Sequence, residues 1–225
     1  MSATVLVIGA SRGIGHALAL SYKASGARVI ATARSAEAVK ALSAEGLEAH
    51  RLEATSPDDW LLLSAKLADE TLDVVLHVAG VSGGRKNAIE APTREDFDEV
   101  MRANVWAAMQ MYPVVGPLLE ANKGKLAVVS SLMGSIGERD SSSSWLYRAS
   151  KAAINSTLKD ASLVLGPKGV VCVTLHPGWV KADLGGPNAH LTIEQSVSGL
   201  RRVVDGLKPA DNGSFINFDG RPIAW

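Results

Sequence analysis

Seven short β-branched or apolar runs, Thr4–Ile8, Arg28–Thr32, Ala49–Leu52, Asp73–Val78, Lys125–Ser130, Val170–Leu175 and Ser214–Phe218, alternate along the chain with longer amphipathic stretches. Runs of this length, almost continuously apolar, suit strands buried on both faces. The stretches between them, roughly 13–25, 35–44, 57–69, 93–120, 146–165 and 192–206, carry helical spacing. Ser35, Ser56 ahead of Pro57, Pro92-Thr93 and Thr192 stand where helices start. Strand and helix in alternation imply a parallel sheet, because a parallel neighbour is reached only through a crossover that a helix supplies. The expected fold class is therefore α/β, a single doubly wound parallel sheet of about seven strands with helices on both faces. At 225 residues the chain provides one substantial core and is short for two, so residues 1–225 are read as one domain.

The 23 basic and 23 acidic side chains cancel. No net field therefore favours nucleic acid or an anionic membrane over a small ligand, and the expected partner is a small molecule. The single cysteine, Cys172, lies in an apolar run, which excludes an intramolecular disulfide framework and fits a buried thiol in a reducing compartment. The five histidines are scattered without metal-ligand spacing, so no metal is expected. Arg12 interrupts the apolar start too early for a secretion signal, and no apolar run reaches the roughly 20 residues that span a bilayer. A cytoplasmic location is the expectation.

The first strand runs directly into Gly9-Ala10-Ser11-Arg12-Gly13-Ile14-Gly15 and then a helix. Glycines at such a turn let the backbone approach a ligand, and the free N–H groups of the following helix attract a pyrophosphate. The spacing is GxxxGxG, not the commoner GxGxxG of dinucleotide sites. At the end of the second strand, Arg34 stands where an acidic residue would bond a ribose 2′-hydroxyl. An arginine there matches a 2′-phosphate, and Arg12 offers a second cation to the same group. The alternative is a pair of solvated surface arginines.

Tyr147-Arg148-Ala149-Ser150-Lys151 places a phenol and an ammonium at i and i+4, on one helical face. A neighbouring ammonium favours phenolate and draws the phenol toward the working range of an acid–base catalyst. Upstream, the strand ending in Ser130-Ser131 brings a hydroxyl able to bond a substrate oxygen. Asn104 sits within a long helix at a cost in propensity, the alternative being an exposed or capping asparagine. Gly134–Ser144, rich in glycine, serine and charge, reads as an active-site loop because it joins the serine pair to the tyrosine helix, or else as a flexible linker.

In order and spacing these motifs resemble the short-chain dehydrogenase/reductase family, over essentially the whole chain. GASRGIG resembles its TGxxxGIG turn, Asn104 its helix asparagine, Ser131 the second of its strand-end serines, YRASK its YxxxK and His176-Pro177-Gly178 its PG motif. The runs HPGWVKADLGG and SSLMGSIG and the ending NGSFINFDGRPIAW look like the branch holding the C-factor signalling protein and sniffer-type carbonyl reductases. The resemblance implies a Rossmann fold, NADP(H) as cofactor, and hydride transfer between nicotinamide and a carbonyl or alcohol. Tyr147 would then be the proton donor, Ser131 the group orienting the carbonyl oxygen, Lys151 a modulator of Tyr147 that also bonds the nicotinamide ribose, and Asn104 the holder of a relay water. Gly9, Ser11, Arg12, Gly13, Ile14, Gly15, Arg34, Glu53, Ala79, Gly80, Tyr147, Lys151, Pro177, Gly178 and Val180 would line the cofactor, with a short substrate loop near 179–191. A homodimer or homotetramer paired through 93–120 and 146–165 is likewise implied, and Met101, Val105, Trp106, Met109 and Met111 spread wider than one sheet contact needs.

The chain departs from the family pattern at several places. The NNAG motif reads His77-Val78-Ala79-Gly80, the threonine after PGxV is Ala182, the first-strand threonine is Ile8, and the adenine-side aspartate is Glu53. His77 is read as a core histidine with its hydrogen bonds satisfied, before any catalytic role. Trp145, Trp179, Leu132, Met133 and Leu184 are candidate walls for a hydrophobic substrate, or ordinary core. A competing class is an NADP(H)-binding signalling module with little turnover, against which an intact Ser-Tyr-Lys-Asn set weighs. Sugar-nucleotide epimerase chemistry would need a further substrate domain and is not expected.

Overall fold

The computed structural model describes residues 2–84 and 86–225. Along the chain run β1 (Thr4–Ile8), α1 (Gly13–Ala24), β2 (Arg28–Ala33), α2 (Ala36–Ala44), β3 (Glu48–Arg51), α3 (Pro57–Lys66), β4 (Val74–His77), α4 (Arg94–Met101) and α5 (Ala107–Glu120). There follow β5 (Lys125–Val129), α6 (Trp145–Leu165), β6 (Val171–His176), α7 (Ile193–Gly206) and β7 (Ser214–Asn217). All strand pairs are parallel, in the order β3-β2-β1-β4-β5-β6-β7. Neighbouring strands thus run outward in both directions from β1, and the order reverses between β1 and β4. That reversal leaves a crevice at the carboxyl ends of the two central strands, where doubly wound sheets bind ligands.

Alternation along each strand divides the apolar residues between two cores. Val5 and Val7 join Leu18, Leu42, Val197 and Leu200 beneath α1, α2 and α7. Leu6 and Ile8 join Trp60, Leu63, Met111, Val115, Ile154 and Leu158 beneath α3, α5 and α6. Cys172 is buried in this second core as a free thiol.

Helix starts follow the side chains expected of them. Ser35, Ser56, Thr93 and Thr192 each accept a backbone N–H from the first turn, and Thr93 with Asp96 and Thr192 with Gln195 form reciprocal capping boxes. The expected helix over 93–120 differs from the structure. It is interrupted by a π-helical turn, Arg102–Trp106, with α4 before it and α5 after it. α3 also stops at Lys66 and not at 69, the amide of Leu67 being shared between the carbonyls of Leu63 and Ser64 as the last turn tightens.

Candidate active site

The turn after β1 is built from its glycines. Gly9 has φ of +86°, and a Cβ there would lie 2.9 Å from the backbone nitrogen of Ala79 at the end of β4. Gly15 backs directly onto the carbonyl of Gly9, while Gly13, at φ of +57°, faces open space. Only glycine satisfies both the positive φ and the close approach. α1 begins at Arg12 without any side-chain cap and without an acidic residue in its first turn. Its leading N–H groups are thereby left for a ligand, in contrast to the capped starts of α2, α3, α4 and α7. Ser11 is exposed on this turn, and Ile14 packs partly into the core below.

Arg34 is exposed immediately beyond β2, at the border of the same crevice. Arg12 is engaged elsewhere: its guanidinium lies 2.6 Å from the Asp183 carboxylate, both side chains being largely exposed. The pair joins the glycine turn to the loop 179–191. Glu53 follows β3, but its carboxylate accepts from the amide and hydroxyl of Thr55 at 3.2 and 3.0 Å, turning it back on its own loop.

Four of the expected side chains meet where β4, β5 and α6 come together. Ser131 follows β5 and caps a short 3-10 turn, Leu132–Gly134, through the Met133 amide. Tyr147 and Lys151 stand on the first turns of α6, with the Lys151 Nζ 5.7 Å from the phenol ring centre. Lys151 is buried and donates to the Val129 carbonyl at 3.0 Å. Gly134 presses on the Lys151 backbone, and a Cβ at that position would lie 2.8 Å from its carbonyl carbon.

Asn104, fully buried, occupies the π-helical turn. Its amide donates to the Val81 carbonyl at 2.8 Å and to Ser150 Oγ at 2.9 Å, and its carbonyl accepts from the Val81 amide at 2.8 Å. The asparagine therefore ties the end of β4 to α6. Gly80 completes the arrangement, since a Cβ there would lie 3.0 Å from Asn104 Oδ1 and 3.4 Å from Lys151 Nζ.

Burial governs the protonation of this group. The Tyr147 phenol is pushed up to about 12 by desolvation, with the Ser131 hydroxyl pulling it back, and Lys151 is pushed down to about 8 by desolvation. The expectation that Lys151 draws the phenol down is not met in the chain alone. Desolvation opposes both charged forms at once, so the ammonium is weakened as the phenolate is disfavoured. What remains near neutral pH is a protonated phenol, the form that can donate a proton.

At the end of β6, Pro177 accepts from Ser196 Oγ at 2.6 Å, Gly178 turns with φ of +81° beside Phe218, and buried Val180 pairs with Leu191. Leu132, Ile136, Trp179 and Leu184 expose apolar surface. Trp179 is fixed by a bond from its indole nitrogen to the Gly185 carbonyl and by edge contact with His190. His77, at the end of β4, is fully buried and neither ring nitrogen finds a partner. Burial, assisted by the charge of Lys151, holds its pKa down at about 4, so it is neutral. Among the described residues no cluster of metal-ligating side chains occurs, and no helix is long and apolar enough to cross a membrane.

Three participants escape a reading of the sequence. Ser150 is visible in YRASK as the residue beside the lysine, but its role as the partner of Asn104 depends on the π-helical turn. Asp183 carries no signal that it would reach Arg12, 171 positions away in the chain. Ser135, fully buried, is linked across the fold to the Ala224 carbonyl at 2.6 Å, which no local pattern encodes.

The short chain dehydrogenase family model matches residues 3–190. The C-signal protein of Myxococcus xanthus is 36% identical over 155 residues, covering 68% of this chain and 93% of that protein. A 1-hydroxy-2-glutathionyl-2-methyl-3-butene dehydrogenase from Rhodococcus is 34% identical over 233 aligned residues, 99% of each. Among solved structures, the carbonyl reductase Sniffer of D. melanogaster superposes with a TM-score of 0.89 at 28% identity, covering both chains completely. The NADPH-bound carbonyl reductase from chicken fatty liver superposes with a TM-score of 0.87 at 29% identity, again over both chains.

Proposed function

This chain belongs to the short-chain dehydrogenase/reductase family, and on that premise we propose that it is an NADP(H)-dependent carbonyl reductase acting on a hydrophobic aldehyde or ketone. The observation that carries the reading is the convergence of Ser131, Tyr147, Lys151 and Asn104 beside a glycine turn whose helix start is left uncapped. The turn fits a dinucleotide. Gly13 faces open space, the first N–H groups of α1 lack side-chain acceptors, and Gly9 and Ala79 set the depth of the crevice. Arg34 supplies a cation for a 2′-phosphate, and Arg12 supplies a second once it leaves Asp183. The NADP-type cofactor is further supported by the NADPH-bound state of the chicken enzyme.

When bound, NADPH supplies the hydride. Tyr147 then gives its phenolic proton to the carbonyl oxygen as negative charge develops there, a role suited to a phenol that burial keeps protonated. Ser131 orients the same oxygen through its hydroxyl. Lys151, anchored on the Val129 carbonyl, retains N–H groups for the cofactor ribose and restores the proton to Tyr147. Asn104 holds the end of β4 against α6 and so fixes the distance between the cofactor floor and Lys151. The exposed apolar rim of Leu132, Ile136, Trp179 and Leu184 favours a hydrophobic substrate.

The test is loss of NADPH absorbance against a panel of aldehydes, ketones and quinones, with NADH and NADPH titrated in parallel. Turnover with NADPH preferred, and the preference reversed in Arg34→Asp, is the expected result. Equal or tighter NADH binding by the parent protein sinks the cofactor assignment. Similarity to C-signal favours a second reading, an NADP(H)-binding signalling module. NADPH binding without turnover across the panel would decide for it.

A further inference from the structure

After β7 the chain turns at Gly220, with φ of +93°, and lies back along the outer edge of the sheet. The Asn217 amide donates to the Arg221 carbonyl, Ile216 pairs antiparallel with Pro222, and the Ile223 amide donates to Phe215 at 2.8 Å. Beyond Ile223 the chain leaves the edge and reaches the segment that follows Ser131. Ser135 Oγ donates to the Ala224 carbonyl at 2.6 Å, and the amides of Ile136 and Gly137 donate to the Trp225 carbonyl at 3.2 and 2.9 Å. The Trp225 ring stacks on the buried Phe215 with centres 5.7 Å apart. These contacts join the last residues to one short turn. Ser131 stands at one end of that turn, Ser135 at the other, and Gly134 between them is wedged against Lys151.

We infer that residues 222–225 form a strap whose role is positioning: it holds the 131–138 segment against α6 and so sets where the Ser131 hydroxyl and the apolar rim at Ile136 stand. The inference deepens the function proposed above and rests on it for its kinetic consequence. The physical reason is leverage. The turn at Leu132–Gly134 has a single internal end-to-end bond, Gly134 N–H to the Ser131 carbonyl at 2.8 Å, seconded by Ser135 N–H to Leu132 at 2.9 Å. Four bonds join the strap to its far end, the fourth from the Ala224 amide to the Glu138 carboxylate at 3.4 Å, comparable in number to those that form it. A hydroxyl acting on a developing charge loses its effect with small displacements, so loosening the far end is felt at Ser131. Substrate transfer should suffer while the glycine turn, on the other side of the crevice, continues to hold cofactor.

The experiment compares the parent with a chain lacking Ala224 and Trp225, with Trp225→Gly and Trp225→Phe as milder variants that retain the backbone. Kinetics with NADPH and an aldehyde reduced by the parent, NADPH affinity by fluorescence, and amide exchange of residues 131–138 are measured on each. The strap predicts at least tenfold loss of kcat/KM in the shortened chain, NADPH affinity within about twofold, and faster exchange confined to 131–138. Trp225→Phe, which preserves the stack, should recover most of what Trp225→Gly loses. Unchanged kinetic constants in the shortened chain, or a parallel loss of NADPH affinity, overturn the strap. A parent without turnover on any carbonyl overturns the proposed function instead. In that case exchange alone decides, and unaltered protection of 131–138 in the shortened chain refutes the strap.

Discussion

Tyr147 and Lys151 share one face of α6, yet burial drives their proton affinities apart, the phenol up to about 12 and the ammonium down to about 8, and the phenol keeps its proton in the chain alone. Replacing Tyr147 with phenylalanine removes that proton and little else. Turnover is expected to fall by a factor of about 10² to 10⁴, with NADPH affinity unchanged; near-normal rates on a substrate of the parent would refute the proton path. His77 offers a second test through stability. Its pKa is lowered from the ordinary value of 6.5 to about 4 in the fold, so the unfolded chain binds a proton more readily. Its contribution is fully present above pH 6.5 and is lost as pH falls toward 4. Between pH 7 and 5 the loss is about 2 kcal/mol, and His176, also pushed down to about 4 by burial, adds to the same slope. Denaturant titrations of parent and His77→Asn at both pH values should show the variant with the flatter dependence, and equal slopes would count against a buried neutral imidazole. At this scale the shared face of Tyr147 and Lys151 is legible in the sequence from their i, i+4 spacing, and the place of Ser131 from the strand that ends at it. Their protonation is not, since it depends on how tightly Gly134 and β5 close over Lys151.

The helices and strands of this chain are largely written in local chemistry. Ser35, Ser56, Thr93 and Thr192 announce their helices through side chains that satisfy the first free N–H groups, and the bonds form as that logic requires. Where a boundary depends on a distant partner, the local signal is silent. Nothing between Met101 and Ala107 encodes a wider helical turn, which is held by bonds from Asn104 to Val81 and Ser150. The loop 179–191 is the same kind of case. Its Asp183 holds Arg12 across the mouth of the crevice, and the pair competes with any phosphate that Arg12 could bind. Asp183→Asn should therefore tighten NADPH by a factor of about two to five, within the range of an exposed ion pair, and the gain should shrink as salt is raised. Fluorescence titration at two ionic strengths checks this, and weaker binding in the variant would show that the aspartate helps the cofactor site.

For the molecule as a whole, the apolar spread along 93–120 resolves into two directions. Val105 and Met111 are buried, whereas Trp106 and Met109 remain 42% and 47% exposed, with Phe97 exposed nearby and Leu163 and Val164 exposed on α6. An apolar surface on these two helices fits pairing with a second copy, and light scattering at micromolar concentration is expected to give at least twice the 23.6 kDa of one chain. A mass near 23.6 kDa would leave those side chains as ordinary surface. The chain that folds back over β7 limits the form that any such pairing can take. A seven-stranded parallel sheet has two borders along which a foreign strand could add. On one, Pro222 contributes no N–H and Ile223 already occupies Phe215. On the other, β3 is only four residues long and carries the charged Glu48 and Arg51 at its two ends. With one border covered by the returning chain and the other reduced to four residues, edge-to-edge addition of a foreign strand is disfavoured, which leaves the exposed helices as the surface better suited to pairing.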